Sequence, residues 1–100
     1  FMEKVMYMML IEKTKTYNRL TKKAVTEHVE NIRKLDDAGK LEICGVFRGY
    51  PGMAGMYILK TESREEAEAL CEMEPLVTGG YAAYKLVELQ IAERENNYLL

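Results

Sequence analysis

The segment that most restricts the fold is Lys4-Val-Met-Tyr-Met-Met-Leu-Ile11. Read as a strand, it is apolar on both faces, with Val5, Tyr7, Met9 and Ile11 on one and Met6, Met8 and Leu10 on the other. A strand of that kind must be covered on both sides, which places it in the interior of a sheet. It is too short to cross a bilayer, which takes about 20 apolar residues. It also lacks the basic leader and small-residue cleavage site of a secretory signal. Met2 reads as an initiator, which leaves Phe1 as an extra residue.

After a polar run from Glu12 to Arg19, read as a loop, the period changes. Ala24, Val25, His28, Val29, Ile32 and Leu35 recur at three- and four-residue steps and predict one helical stripe over 21–38. Thr21 is its expected cap and Gly39 its stop. Leu41 to Arg48 alternates again, Gly49-Tyr-Pro-Gly52 is a turn cluster, and Met53 to Lys60 is a third strand, so the three make a hairpin. Ser63-Arg-Glu-Glu66 has capping-box spacing and opens a second helix, running to about Met73 and burying Ala67, Leu70 and Cys71. Pro75 ends it, Gly79-Gly80 is a further break, and Ala82 to Ile91 is a fourth strand. Ala92 to Leu100 is a tail with helical character.

The order strand, helix, strand, strand, helix, strand predicts an α+β, ferredoxin-like βαββαβ fold: a four-stranded antiparallel sheet with both helices on one face. The chain is read as one domain over 1–100, with a core of about 3–91 and a tail of 92–100. In this topology the first and third strands are central, and they are the most apolar here. Two helices cover only one side, so the other face is an apolar patch of a size that monomers seldom leave in water. A homodimer packed sheet to sheet is expected.

Composition narrows the function classes. Fourteen basic residues against sixteen acidic give a net charge of −2, without the basic excess of a nucleic-acid binder. Arg48-Gly-Tyr50 resembles the opening of an RNA-recognition signature, but Pro51-Gly52 interrupts it and the third strand offers only Tyr57 for stacking on bases. Neither a nucleic-acid nor a membrane partner is expected. Cys44 and Cys71 are too few for a disulfide framework or a four-ligand zinc site, which points to a reducing cytoplasm. His28-Val-Glu30 has no Pro-Cys-x-x-Cys to make a zinc deaminase, and Gly79-Gly80 has no following Lys-Ser or Lys-Thr to hold phosphate. No metal and no cofactor is expected.

Two residues stand out as candidates for chemistry. His28, the only histidine, lies on the apolar stripe, where a packing role and a catalytic one are both open. Glu74 precedes Pro75; by position alone it is an exposed carboxylate at a helix C-terminus, where the helix dipole gives it nothing. Both helices face the same side of the sheet, so the two side chains can approach.

The chain resembles the YCII-related family of small bacterial proteins. The resemblance rests on the His28 helix with Leu35, Ala38-Gly39 and Leu41; on Cys44-Gly45; on Met56 to Leu59 followed by Ser63 to Ala67; and on Glu74-Pro-Leu-Val77 with Gly80. It implies a ferredoxin-like dimer acting on a small-molecule ligand. The family's shared histidine and aspartate suggest an enzymatic role, and one branch removes chloride from chlorinated hydroxyhydroquinones. Carried over, the histidine is His28, and Glu74 occupies the aspartate position. The chain departs from the family pattern at Val25-Thr26 for Arg-Pro, Val46 for proline and Leu76 for an aromatic.

The resemblance therefore implies lyase- or isomerase-like acid–base chemistry by His28 and Glu74 on a small hydroxylated or carbonyl compound. Tyr7, Tyr57 and Tyr81 are candidates for contacting that substrate. The alternative is a non-catalytic binding or dimerisation module of the same fold.

Overall fold

The structure, a computed structural model, describes residues 3–100; Phe1 and Met2, the latter read above as an initiator, lie outside the described residues. The elements are β1 (Val5–Lys13), α1 (Lys22–Asp37), β2 (Leu41–Val46), β3 (Met53–Leu59), α2 (Arg64–Glu72), α3 (Pro75–Thr78) and β4 (Ala82–Gln90). Short 3-10 turns occupy Tyr17–Arg19 and Arg94–Leu99. The strands form one antiparallel sheet in the order β2-β3-β1-β4, with the two most apolar strands at its centre. The α+β, ferredoxin-like reading is the fold found.

Local chemistry sets the helix ends. The Thr21 hydroxyl accepts from the Ala24 N–H at 3.1 Å and opens α1. At its other end Gly39 sits at a φ of +72°, donating to the Asp36 carbonyl while Lys40 donates to that of Leu35. That pair of bonds closes the helix, and a left-handed residue there favours glycine. Ser63 accepts from the Glu66 N–H at 3.1 Å and opens α2 as its spacing predicts. Glu66 reaches back to the Glu62 N–H and to the Lys40 ammonium, which holds its carboxyl below the usual range.

The core lies between helices and sheet, with Tyr7, Met9, Ile11, Tyr57 and Leu59 meeting Leu35, Ala67, Cys71 and Leu76. Three details differ from the sequence reading. The stripe of α1 is narrower: Leu35 is buried and Ala24, His28 and Ile32 are half-buried, whereas Val25 and Val29 are exposed. A register shift between Leu41 and Ile43 puts Leu41 and Cys44 on the helix side and leaves Ile43 on the other face. Pro75, expected only as a stop, is also the first residue of a further helix.

On the face away from the helices, Met6, Met8, Leu10, Met56, Ile58, Val87 and Leu89 share one side of three adjacent strands. Val87 and Leu89 at the rim of that patch are exposed, as are Tyr98, Leu99 and Leu100 of the tail. Among the described residues, no helix is long and apolar enough to cross a membrane.

Candidate functional site

Three elements converge under α1. His28 projects from the middle of that helix, Tyr57 from the central strand β3, and Glu74 from the junction of α2 and α3. Glu74 is 0% exposed, the one charged residue in the buried set among the described residues. It corrects the sequence expectation in two respects: the carboxylate is not exposed, and it starts a helix as well as following one. As the cap of α3, its Oε2 accepts from the Leu76 N–H at 2.5 Å. A carboxylate is favoured at that end of a helix, and proline is favoured just inside it.

The other oxygen, Oε1, lies 2.5 Å from His28 Nδ1 and 2.5 Å from the Tyr57 hydroxyl. Burial alone would raise the Glu74 carboxyl, but the hydrogen bonds from His28, Tyr57 and the Leu76 N–H outweigh it. They hold the group below its ordinary value of 4.5, so it is an anion at neutral pH. An anionic oxygen only accepts, so both the Nδ1–H and the tyrosine O–H donate to it. The 3.2 Å separation of the Tyr57 oxygen from Nδ1 is then the third side of a triangle whose apex is Oε1. Burial, and then the hydrogen bond to Glu74 and its charge, push the Tyr57 phenol well above its ordinary value, so it stays a neutral donor.

With Nδ1 committed to the carboxylate, Nε2 is the imidazole nitrogen left for chemistry. It makes no hydrogen bond within the described residues and is not enclosed among buried unpaired atoms, and the side chain as a whole is 21% exposed. The histidine borders an apolar cavity of about 110 Å³ between α1 and the β2–β3 hairpin. Ile11, Tyr17, Ile32, Cys44, Tyr57 and Leu76 are among its other walls. The floor is bare because β3 carries Gly55 there, where any Cβ would collide with the carbonyl oxygen of Gly45.

Of the residues singled out in the sequence, His28, Glu74 and Tyr57 are brought together. Tyr7 lies in the core beside Leu59, and Tyr81 borders a separate depression with Pro75 and Gly79. The walls Tyr17, Ile32 and Cys44 were not anticipated as site residues. Tyr17 was hidden in a polar run, where the Lys13 ammonium lies 5.1 Å from its ring centroid. Ile32 has a legible signal, one helical turn after His28 on the same stripe.

The depressed carboxyl has a stability consequence. Glu74 is more acidic in the folded chain than in the unfolded one, so its contribution is complete above about pH 4.5. It is lost as pH falls through the lower folded value. In Glu74→Gln no such proton is taken up. The stability gap between parent and variant is therefore expected to narrow as pH drops below about 4.5 in urea titrations; a gap independent of pH would contradict the assignment.

Comparison with known proteins agrees with this architecture. None of the curated protein sequences searched matches the chain. Among solved structures it is similar to 5-chloro-2-hydroxyhydroquinone dehydrochlorinase from Burkholderia phenoliruptrix, determined in complex with 2,5-dihydroxybenzoquinone. That likeness has a TM-score of 0.68 at 14% sequence identity, covering 91% of this chain and 97% of the other, and is one of fold. The model of the YCII-related domain matches residues 5–90, and the chain belongs to that family.

Proposed function

We propose that this protein is a small acid–base enzyme, lyase- or isomerase-like, in which His28 Nε2 moves a proton to or from a ligand in the adjoining cavity. The observation that carries the reading is the buried Glu74 carboxylate 2.5 Å from Nδ1, which fixes the ring of a histidine that borders the cavity and leaves its other nitrogen unpaired. When Nε2 takes a proton, the ring becomes a cation, and the carboxylate already at Nδ1 stabilises it without taking the second proton. The electron pair released on the substrate then forms a new double bond: either the displaced pair takes the proton back from Nε2 at a further carbon, or a leaving group departs with its bonding pair and Nε2 returns its proton to water.

The cavity sets the substrate size. At about 110 Å³ it is somewhat smaller than the 150 Å³ cavity that accepts benzene, so it takes a short chain, or one edge of a ring whose remainder projects from its open mouth. Mostly apolar walls with one base suit a hydroxylated or carbonyl-bearing ring. The structural neighbour was solved with a compound of that class. On the sheet face away from the helices Met6 and Ile58 are buried, but Ile43, Val87 and Leu89 remain exposed, and that apolar margin favours a homodimer, expected to sediment at twice 11.5 kDa. Cys44 and Cys71 are both free thiols, which fits a reducing cytoplasm.

The test is a panel of hydroxylated benzenes, hydroxyquinones and small halogenated carbonyl compounds incubated in D₂O. The parent is expected to exchange a carbon-bound hydrogen, or release halide, on at least one of them, and His28→Gln is not. Ligands that shift resonances of cavity residues without any turnover would favour the non-catalytic binding module instead.

A further inference from the structure

We infer that Tyr57 is a positioning residue of this site: its hydroxyl fastens the Glu74 carboxylate to the sheet and so aims His28 at the cavity. The kinetic meaning of this role rests on His28 being the reacting base; the structural meaning does not.

The argument begins with where each partner is anchored. Tyr57 is 3% exposed and lies on a central strand, between Met9 of β1 and Cys44 of β2. That makes it the site member tied most firmly to the sheet. Glu74 stands at a junction between two helices, on a side chain with three rotatable bonds. The Leu76 N–H secures Oε2, but a carboxylate held by one oxygen still swings about it. Oε1 is fixed by the Tyr57 hydroxyl, which comes from the opposite layer of the molecule. The tyrosine and imidazole rings are nearly parallel, 13° apart with centroids separated by 6.3 Å, so both donors enter Oε1 side by side.

A second donor on Oε1 also changes its chemistry. Two hydrogen bonds make that oxygen less basic than one does, so the proton stays on Nδ1 and Nε2 remains the free base. The titratable groups facing this cluster are few. They are Cys71 of α2, whose thiol is pushed up to about 12 mainly by burial, and Cys44, which faces Tyr57 from β2. The Cys71 thiol therefore stays neutral and supplies no charge that competes for Glu74.

The experiment is NMR on the parent and on Tyr57→Phe, following the Glu74 side-chain carboxyl carbon and the His28 Nδ1–H proton. Tyr57→Phe is expected to raise the pH at which Glu74 titrates and to move the Nδ1–H resonance further downfield, since Oε1 then serves one donor. A folded Tyr57→Phe with both signals unchanged overturns the inference. If that variant does not fold, a fluorinated tyrosine at position 57 keeps the shape and strengthens the donor. It is then expected to lower the Glu74 titration, and no shift overturns the inference. Failure of every compound in the D₂O panel would refute the enzymatic reading while leaving these signals where they are, so the two failures are distinguishable.

Discussion

Replacing Glu74 by alanine is expected to destabilise the protein by about 3–5 kcal/mol, the usual result of removing one partner from a buried charged network. The estimate follows from what is left behind. Three donors lose their acceptor: the His28 Nδ1–H, the Tyr57 hydroxyl and the Leu76 N–H. A buried donor without a partner costs about 1–3 kcal/mol, and loss of a helix cap about 1 kcal/mol. The three do not add fully, because His28 is partly exposed and water reaches it. Stabilities of small domains are about 5–15 kcal/mol, so the loss is a large fraction of the whole. Urea unfolding monitored by circular dichroism measures it. A loss below about 1 kcal/mol would mean that the carboxylate is not the buried hub described here. Glu74→Asp is expected to fall between parent and alanine. Aspartate caps a helix well, but the shorter side chain draws the carboxylate back by more than ~1 Å from Tyr57 and His28.

His28→Gln is expected to behave in the opposite way, with little effect on the fold and a large one on chemistry. The glutamine amide donates to Glu74 Oε1 in place of Nδ1–H, so the buried carboxylate keeps its partner. A proton-transfer group, however, is gone. General acid–base catalysis by a positioned side chain is typically worth 10²–10⁴-fold, and a loss of about that size is expected on any substrate the D₂O panel identifies. Turnover by His28→Gln within about threefold of the parent would remove His28 from the reaction, because even the low end of that range exceeds it. A fall in stability as large as that of Glu74→Ala would instead make His28 a packing residue.

Much of the architecture is legible in the chain because it is written in periodicity. Alternation on both faces of Val5–Ile11 and Met56–Leu59 identifies the central strands, and the switch to three- and four-residue steps identifies α1. Thr21, Gly39 and Ser63 mark helix ends by local hydrogen bonding that needs no tertiary context. The departures come where tertiary packing overrides a local rule. The shift after Leu41 is invisible to alternation, since a bulge changes which parity faces inward. Val25 and Val29 lie at the edge of the stripe and are exposed, although their hydropathy alone places them on it.

The site was half legible. His28 and Glu74 stand out in the sequence, but the burial of Glu74 does not, because a proline after a helical stretch signals an end. Glu-Pro is also the sequence of a cap followed by the first residue of a helix, and that second reading gives the carboxylate a backbone donor; its burial comes with the tertiary contacts to His28 and Tyr57. From the sequence Tyr57 reads as a substrate contact; its hydroxyl in the structure donates to Glu74. Which of two aromatic roles a tyrosine takes depends on what lies 17 residues further along the chain, and no local pattern carries that.

The central claim is that Glu74 holds the His28 ring by Nδ1 and leaves Nε2 free to react. The most direct measurement is the tautomer of His28 from long-range ¹H–¹⁵N correlation NMR, at a pH where the ring is neutral. With a single histidine in the chain, the assignment is immediate. The account predicts a proton on Nδ1 and the shift of an unprotonated nitrogen at Nε2. A proton on Nε2, with Nδ1 bare, would contradict it, because Glu74 would then have no imidazole N–H to accept.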